Sequence, residues 1–188
     1  MPLERFEIDP AHSVVEFLVQ HLVVSRVRGM FTRFRGSLLL DDEDLGKSSV
    51  EACVETASVN TNERDRDAHL RSPDFFDTER FPEMCFTSAH VDVLGDRHLA
   101  VVGELTMHGV TREIVLDTTY GGRVRDPWDG ERVGFEATAT LDRRDFGLVW
   151  NAALDAGNVL VGNTVEIDIE VEAVRVGRPE PAAAVRLP

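Results

Sequence analysis

Alternation with a period of two residues runs through most of the 188-residue chain and restricts its fold more than any other property. VEIDIEVEA puts Val165, Ile167, Ile169, Val171 and Ala173 on one face and four carboxylates on the other. HSVVEFLVQH groups Val15, Phe17, Val19 and His21, and VGFEATATL sets Val133, Phe135, Ala137, Ala139 and Leu141 against Glu136, Thr138 and Thr140. Successive side chains of a strand point to opposite faces, so each run reads as a strand with one dry and one wet side. Eight or nine such strands, joined mostly as hairpins, must turn their dry faces toward one another as a sandwich or a closed barrel. Small inward residues, Gly103, Ala137, Ala139 and Ala173, stand beside Leu105 and Phe135. That leaves room along an axis, and an eight-stranded barrel can hold one small ligand. Small residues opposite large ones in a filled core would give the same pattern.

One hairpin can be registered. In VVGELTMHGVTREIVLDTTY, His108-Gly109 forms the two-residue turn, so Met107 pairs with Val110, Leu105 with Arg112, Gly103 with Ile114 and Val101 with Leu116. Arg112 interrupts the dry face, which places it at a rim where its guanidinium reaches water. Phe31 and Phe34, three apart between Gly29 and Gly36, predict a bulge or a short helical turn. DDEDLGK and YGGRVRDPWDGE read as loops. Residues 1–176 read as a single domain, and 177–188 as a flexible tail.

TNERDRDAHLRSPDFFDTERFP departs from the strand pattern. Thr61 or Asn62 can cap a helix, Asp65 falls in its first turn, and Ser72-Pro73-Asp74 can start a second. A helical insert over about 62–77 follows, with Leu70, Phe75 and Phe76 as its large apolar surface. Because it joins two consecutive strands, it is expected to lie across one barrel end as a lid, aromatics inward.

With 34 acidic and 20 basic residues the formal charge is -14, which opposes nucleic acid and anionic membrane surfaces. There is no apolar run long enough for a membrane span and no signal-like start, so a cytoplasmic protein is predicted. Cys53 and Cys85, 32 residues apart without a CxxC, are then expected as two reduced thiols. His90 and Asp92 lack a third ligand for a metal. The DFG at 145–147 lacks every other kinase element. Asp65 and His69, four apart, could form an acid/base pair, but no activated nucleophile accompanies them.

The segments DPAHSVVEF, HLVVSRVRGMFTRFRG, SVNTNERDRDAHLRSPDFFD, FPEMCFTSA, GELTMHGVTREI and RRDFGLVWN…LVGNTVEIDIEVEA, in this order over residues 6–174, resemble the YceI-like polyisoprenoid-binding family. The resemblance implies an all-β, closed, antiparallel, eight-stranded, lipocalin-like barrel, often dimeric, whose apolar pore holds a polyprenyl lipid or isoprenoid quinone for storage, transport or sensing. It implies no catalytic residues, metal or cofactor other than that lipid. Candidate pore residues are Phe17, Val19, Phe31, Phe34, Phe75, Phe76, Phe86, Leu105, Met107, Phe135, Trp150 and Ile167. Candidate head-group contacts are His21, Arg66, Asp67, His69 and Asn151. An isoprenoid-modifying enzyme using Asp65 and His69 is the alternative, and a barrel acting as a protein-interaction module, with a filled interior, is a third.

Overall fold

In the computed structural model, which describes residues 3–22, 24–127, 130–153 and 160–177, the alternating runs form eleven strands. They are β1 (Glu4–Ile8), β2 (Val14–His21), β3 (Ser25–Phe31), β4 (Phe34–Leu40), β5 (Ser49–Glu55), β6 (Val59–Asn60), β7 (Glu83–Val93), β8 (His98–Met107), β9 (Val110–Arg125), β10 (Glu131–Asp142) and β11 (Val161–Arg175), with one helix, α1 (Arg64–Arg71). All pairings are antiparallel. The long strand β11 pairs with β10 along one side, and with β2 and then β1 along the other. In the same way β3 and β4 follow each other along β2 and β1, and β6 and β5 along β3 and β4. Three pairs of short strands therefore act as three bent walls, and with β7 to β11 they close an eight-stranded barrel.

Serine hydroxyls make the bends possible by replacing ladder partners. Ser13 Oγ accepts from Glu172 N at 3.0 Å at the β1–β2 corner, Ser58 Oγ accepts from Arg33 N at 3.1 Å, and Ser88 Oγ accepts from Val50 N at 2.9 Å beside a register shift in β7. Backbone N–H groups that would otherwise be orphaned by the bends are thus satisfied. The segment around Phe31 and Phe34, expected as a bulge or helical turn, is such a corner: Thr32 and Arg33 separate β3 from β4, and Thr32 N donates to Ser58 O.

The β8–β9 hairpin has the register read from the sequence, from Met107 opposite Val110 to Val101 opposite Leu116, with His108 at φ 53° and Gly109 at φ 75°. These are the two positive φ values that a type I′ turn requires. Arg112 is exposed. The segment from Tyr120, expected as a loop, instead continues β9 to Arg125, with a register shift opposite Gly134.

Two expectations are corrected. Cys53 and Cys85 are joined in a disulfide across directly opposed positions of β5 and β7, Cα atoms 4.1 Å apart. Their 32-residue separation hides a spatial adjacency created by the ladder. The insert is helical only over Arg64–Arg71. Its cap is Glu63, whose carboxylate accepts from Asp65 N and Arg66 N, and these bonds hold that carboxyl below its usual range. Asn62 instead takes φ 60° ahead of the cap. Ser72 ends α1 rather than starting a second helix, and the residues after it form turns closed by Phe76 N to Leu70 O and Asp77 N to Ser72 O. The tail beyond Gly177 lies outside the described residues.

The two ends of the barrel differ. At one end Phe6, Leu38, Leu40, Val133 and Ala173 pack solidly, beneath ion pairs that join Glu4 to Arg123 and Arg175, and Arg123 to Asp42. Tyr120 donates to Asp42 there, and burial together with that carboxylate pushes its hydroxyl up to about 12. The other end carries α1 and its turns. Leu70 and Phe76 dock against Phe31, Val54 and Val59, and Phe76 meets Phe31 edge-on at 5.6 Å. Burying each such Phe contributes roughly 1.5 to 3 kcal/mol.

Candidate functional site

The interior between these ends is hollow. A chamber of ≈ 430 Å³ lies beneath α1, and a second of ≈ 210 Å³ lies deeper, toward the packed end. Val15, Met84, Leu105 and Ile167 line both, so the two chambers are adjacent and these four side chains lie between them. Each inward position follows from strand parity: Phe17 and Val19 from β2, Leu105 and Met107 from β8, Val165 and Ile167 from β11. A space of this size would hold on the order of ten waters, each needing two to four polar partners; the inner chamber offers mostly apolar side chains, and the outer one gathers its polar groups from β2, the α1 segment and Arg143. Its dimensions suit a small-molecule site.

All twelve predicted pore residues line this space. Phe17, Val19, Phe31, Phe75, Phe76, Met107 and Trp150 belong to the outer chamber, Phe34, Phe86 and Phe135 to the inner, and Leu105 and Ile167 to both. Gly103 does not provide the free volume anticipated for it. A Cβ there would stand 2.4 Å from Thr87 O and 2.6 Å from Phe86 Cζ, so the Phe86 ring already fills the notch. Ala137, in contrast, borders the inner chamber directly.

The head-group candidates divide. His21, Arg66 and His69 line the outer chamber, whereas Asp67 and Asn151 serve the backbone. Asp67 is buried and accepts from Thr61 N at 2.8 Å and Thr61 Oγ1 at 2.6 Å, fixing the entry to α1. Asn151 binds both backbone groups of Val161, donating at 2.7 Å and accepting at 3.0 Å. Arg66 donates from Nε to Thr61 Oγ1 at 2.7 Å and from Nη2 to Thr61 O at 2.8 Å. His69 shares a 2.8 Å hydrogen bond with Asp74, not Asp65, and its ring stands edge-on to Phe75 and Trp150 at 5.0 and 4.6 Å. The proposed Asp65–His69 pair is therefore not assembled.

Arg143 was missed by the sequence reading, although it continues the odd-numbered inward parity of β10 past Leu141. It is 4% exposed and borders the outer chamber. Nε donates to Gly162 O at 2.9 Å, Nη1 to Leu148 O at 2.7 Å and Trp150 O at 2.9 Å, and Nη2 reaches Asn163 Oδ1 at 3.4 Å. The guanidinium thereby straps Leu148–Trp150 to the start of β11. Burial pushes its pKa down from the usual arginine value, and the charge of Asp142 opposes that shift. The DFG triplet acts as a local stop: Phe146 is buried within a 3-10 turn (Arg143–Phe146), and Gly147 caps it at φ 78°.

A YceI-like domain matches residues 6–173. A UPF0312 protein of Pseudomonas putida is 37% identical over 171 residues, 91% of this chain and 85% of its own. Among solved structures, Burkholderia cenocepacia BcnA superposes with a TM-score of 0.78 at 19% identity, over 88% of this chain and 98% of BcnA. A polyisoprenoid binding domain from Saccharophagus degradans, implicated in plant cell wall breakdown, superposes with a TM-score of 0.69 at 17% identity, covering 92% of this chain and 99% of that domain. With its closed barrel and its family match over nearly the whole chain, this protein belongs to the YceI-like family.

Proposed function

We propose that the protein binds a long-chain polyisoprenoid, a polyprenyl lipid or an isoprenoid quinone, tail first, as a carrier, store or sensor. The observation that supports this most directly is the pair of adjacent, largely apolar chambers that follow one another along the barrel toward a packed far end. Such a shape accepts a hydrocarbon chain and leaves its head at the α1 end. The polyisoprenoid-binding neighbour from S. degradans, alike in fold, points to the same ligand class.

The energetics are sufficient without chemistry. Burying one five-carbon unit contributes roughly 4 kcal/mol at about 0.8 per carbon, against an association cost on the order of 4 to 15 kcal/mol. Four to five buried units, about 16 to 20 kcal/mol, give micromolar or tighter binding where that cost stays below about 8 to 12 kcal/mol. Homodimer formation belongs to this reading as a family expectation. The Cys53–Cys85 disulfide favours an oxidising compartment over the reducing cytoplasm.

Native mass spectrometry of the purified protein, followed by organic extraction, tests the proposal. A bound isoprenoid, or saturable uptake of an added prenyl quinone, is expected. A protein that emerges empty and ignores added quinones and prenols would overturn it.

A further inference from the structure

Resting on the reading that the chambers take a lipid tail, we infer that the mouth selects an anionic head group, a phosphate or a carboxylate, through contact with Arg66 and the fixed positive charge of Arg143. Both arginines line the outer chamber, one carried by α1 and one by the 3-10 turn that follows β10. They are linked in space. His69, one turn after Arg66, meets Trp150 edge-on, and the Trp150 carbonyl accepts from Arg143.

Neither guanidinium has a carboxylate partner among the described residues; Arg66 bonds Thr61, and Arg143 bonds backbone carbonyls and Asn163. A shortage of acids does not explain this, because the chain carries 34 acidic residues against 20 basic ones. Elsewhere Arg28, Arg35, Arg132 and Arg175 each hold a carboxylate. Carbonyls satisfy the N–H groups of Arg143, and the one carboxylate whose charge acts on it, Asp142, is itself paired with Arg144, so a positive charge held at an apolar cavity gains from the arrival of an anion. Arg66 uses two of the five guanidinium N–H donors in its bonds to Thr61, so donors remain for a ligand oxygen.

The acidic groups nearby are held by other donors: Asp142 by Arg144, Glu63 by the backbone N–H groups of Asp65 and Arg66, and Asp67 by Thr61. Glu16 is bound by Arg28 at 2.6 Å, and Asp74 by His69 at 2.8 Å. Asp65 lines the chamber but is exposed to water, where its charge is screened.

Three ligands with one tail decide the matter: geranylgeraniol, geranylgeranyl phosphate and geranylgeranoic acid, titrated into the full-length protein at low and high salt. The wild type should bind the anions at least about tenfold more tightly than the alcohol, the scale of a charge-assisted hydrogen bond. Salt should weaken the anions alone. Arg66→Gln should bring the anion-to-alcohol affinity ratio most of the way to one, while Arg66→Lys should keep part of it. Preference for only one of the two anions would support the inference and name the head group. Equal affinity for alcohol and anions, or an advantage that survives Arg66→Gln, overturns it while the tail-binding reading stands. If Arg66→Gln also loses the alcohol, the wild-type comparison decides: no anion advantage, or one insensitive to salt, overturns the inference. Failure to bind all three ligands overturns both readings.

Discussion

Thr61 shows how one small residue organises the mouth. Its backbone N–H and hydroxyl both donate to Asp67, while the same hydroxyl and the carbonyl accept from Arg66. Asp67→Ala would leave a buried N–H and a hydroxyl without their acceptor, so a loss of about 1 to 3 kcal/mol is expected, read from the urea midpoint. Asp9 makes a different prediction. Hydrogen bonds from His12 first, and then Arg132, hold its carboxyl at about 2 instead of 3.8. The unfolded chain therefore takes up a proton near pH 4 that the folded protein refuses until about pH 2. The stabilisation is present above that window and lost as pH falls through it. Asp9→Asn should flatten the acid limb of stability between about pH 4 and pH 2, measured as urea midpoint against pH; an unchanged limb would show that Asp9 does not contribute to it.

Between residue and barrel lies the lid, and its stems are stapled. The chain leaves β5 at Glu55, forms β6, α1 and the turns, and returns at Glu83, so the Cys53–Cys85 bridge closes a loop that contains the whole excursion. The strand parity that sends Val54, Met84 and Phe86 inward puts the bridge on the outer wall. Replacing both cysteines by alanine should cost about 2 to 4 kcal/mol through the entropy of the open loop and raise hydrogen exchange over residues 56–82, while the β8–β9 hairpin stays protected. Uniform loss of protection would mean that the bridge supports the barrel and not the lid. This element also marks where the sequence stops being legible. Register within the β8–β9 hairpin follows from a local turn, so it could be read. The facing of Cys53 and Cys85 depends on aligning β5 with β7 across a 27-residue excursion, Glu55 to Glu83, which no local signal supplies. Glu63 was passed over as a cap because glutamate is a weak capping type, and Asn62, a strong one, is diverted into the left-handed turn. Arg143 was legible from parity, but its charge argued against placing it inside.

At the scale of the molecule, the acidic residues and the hollow interior are consequences of one alternation: β11 turns Glu166, Asp168, Glu170 and Glu172 to water and Val165, Ile167, Ile169 and Val171 to the bore. Closing the far end with Phe6, Leu40 and the Glu4 ion pairs, and the near end with a docked lid, gives the bore a direction. A tail that enters at the α1 end would pass between Val15, Met84, Leu105 and Ile167 to reach the inner chamber. Chain length should therefore be measured by that chamber, and Ala137 stands on its wall. Ala137→Phe would fill much of the ≈ 210 Å³ and leave the outer ≈ 430 Å³ open. Each five-carbon unit excluded from the bore forfeits up to roughly 4 kcal/mol. Titration of the C10, C15 and C20 prenols should show the shortest binding the variant as it binds the wild type, and the longest weakened by at least about tenfold. A uniform loss across the series would mean that the tail does not reach the inner chamber in the proposed order, and no loss at all would place the lipid outside it.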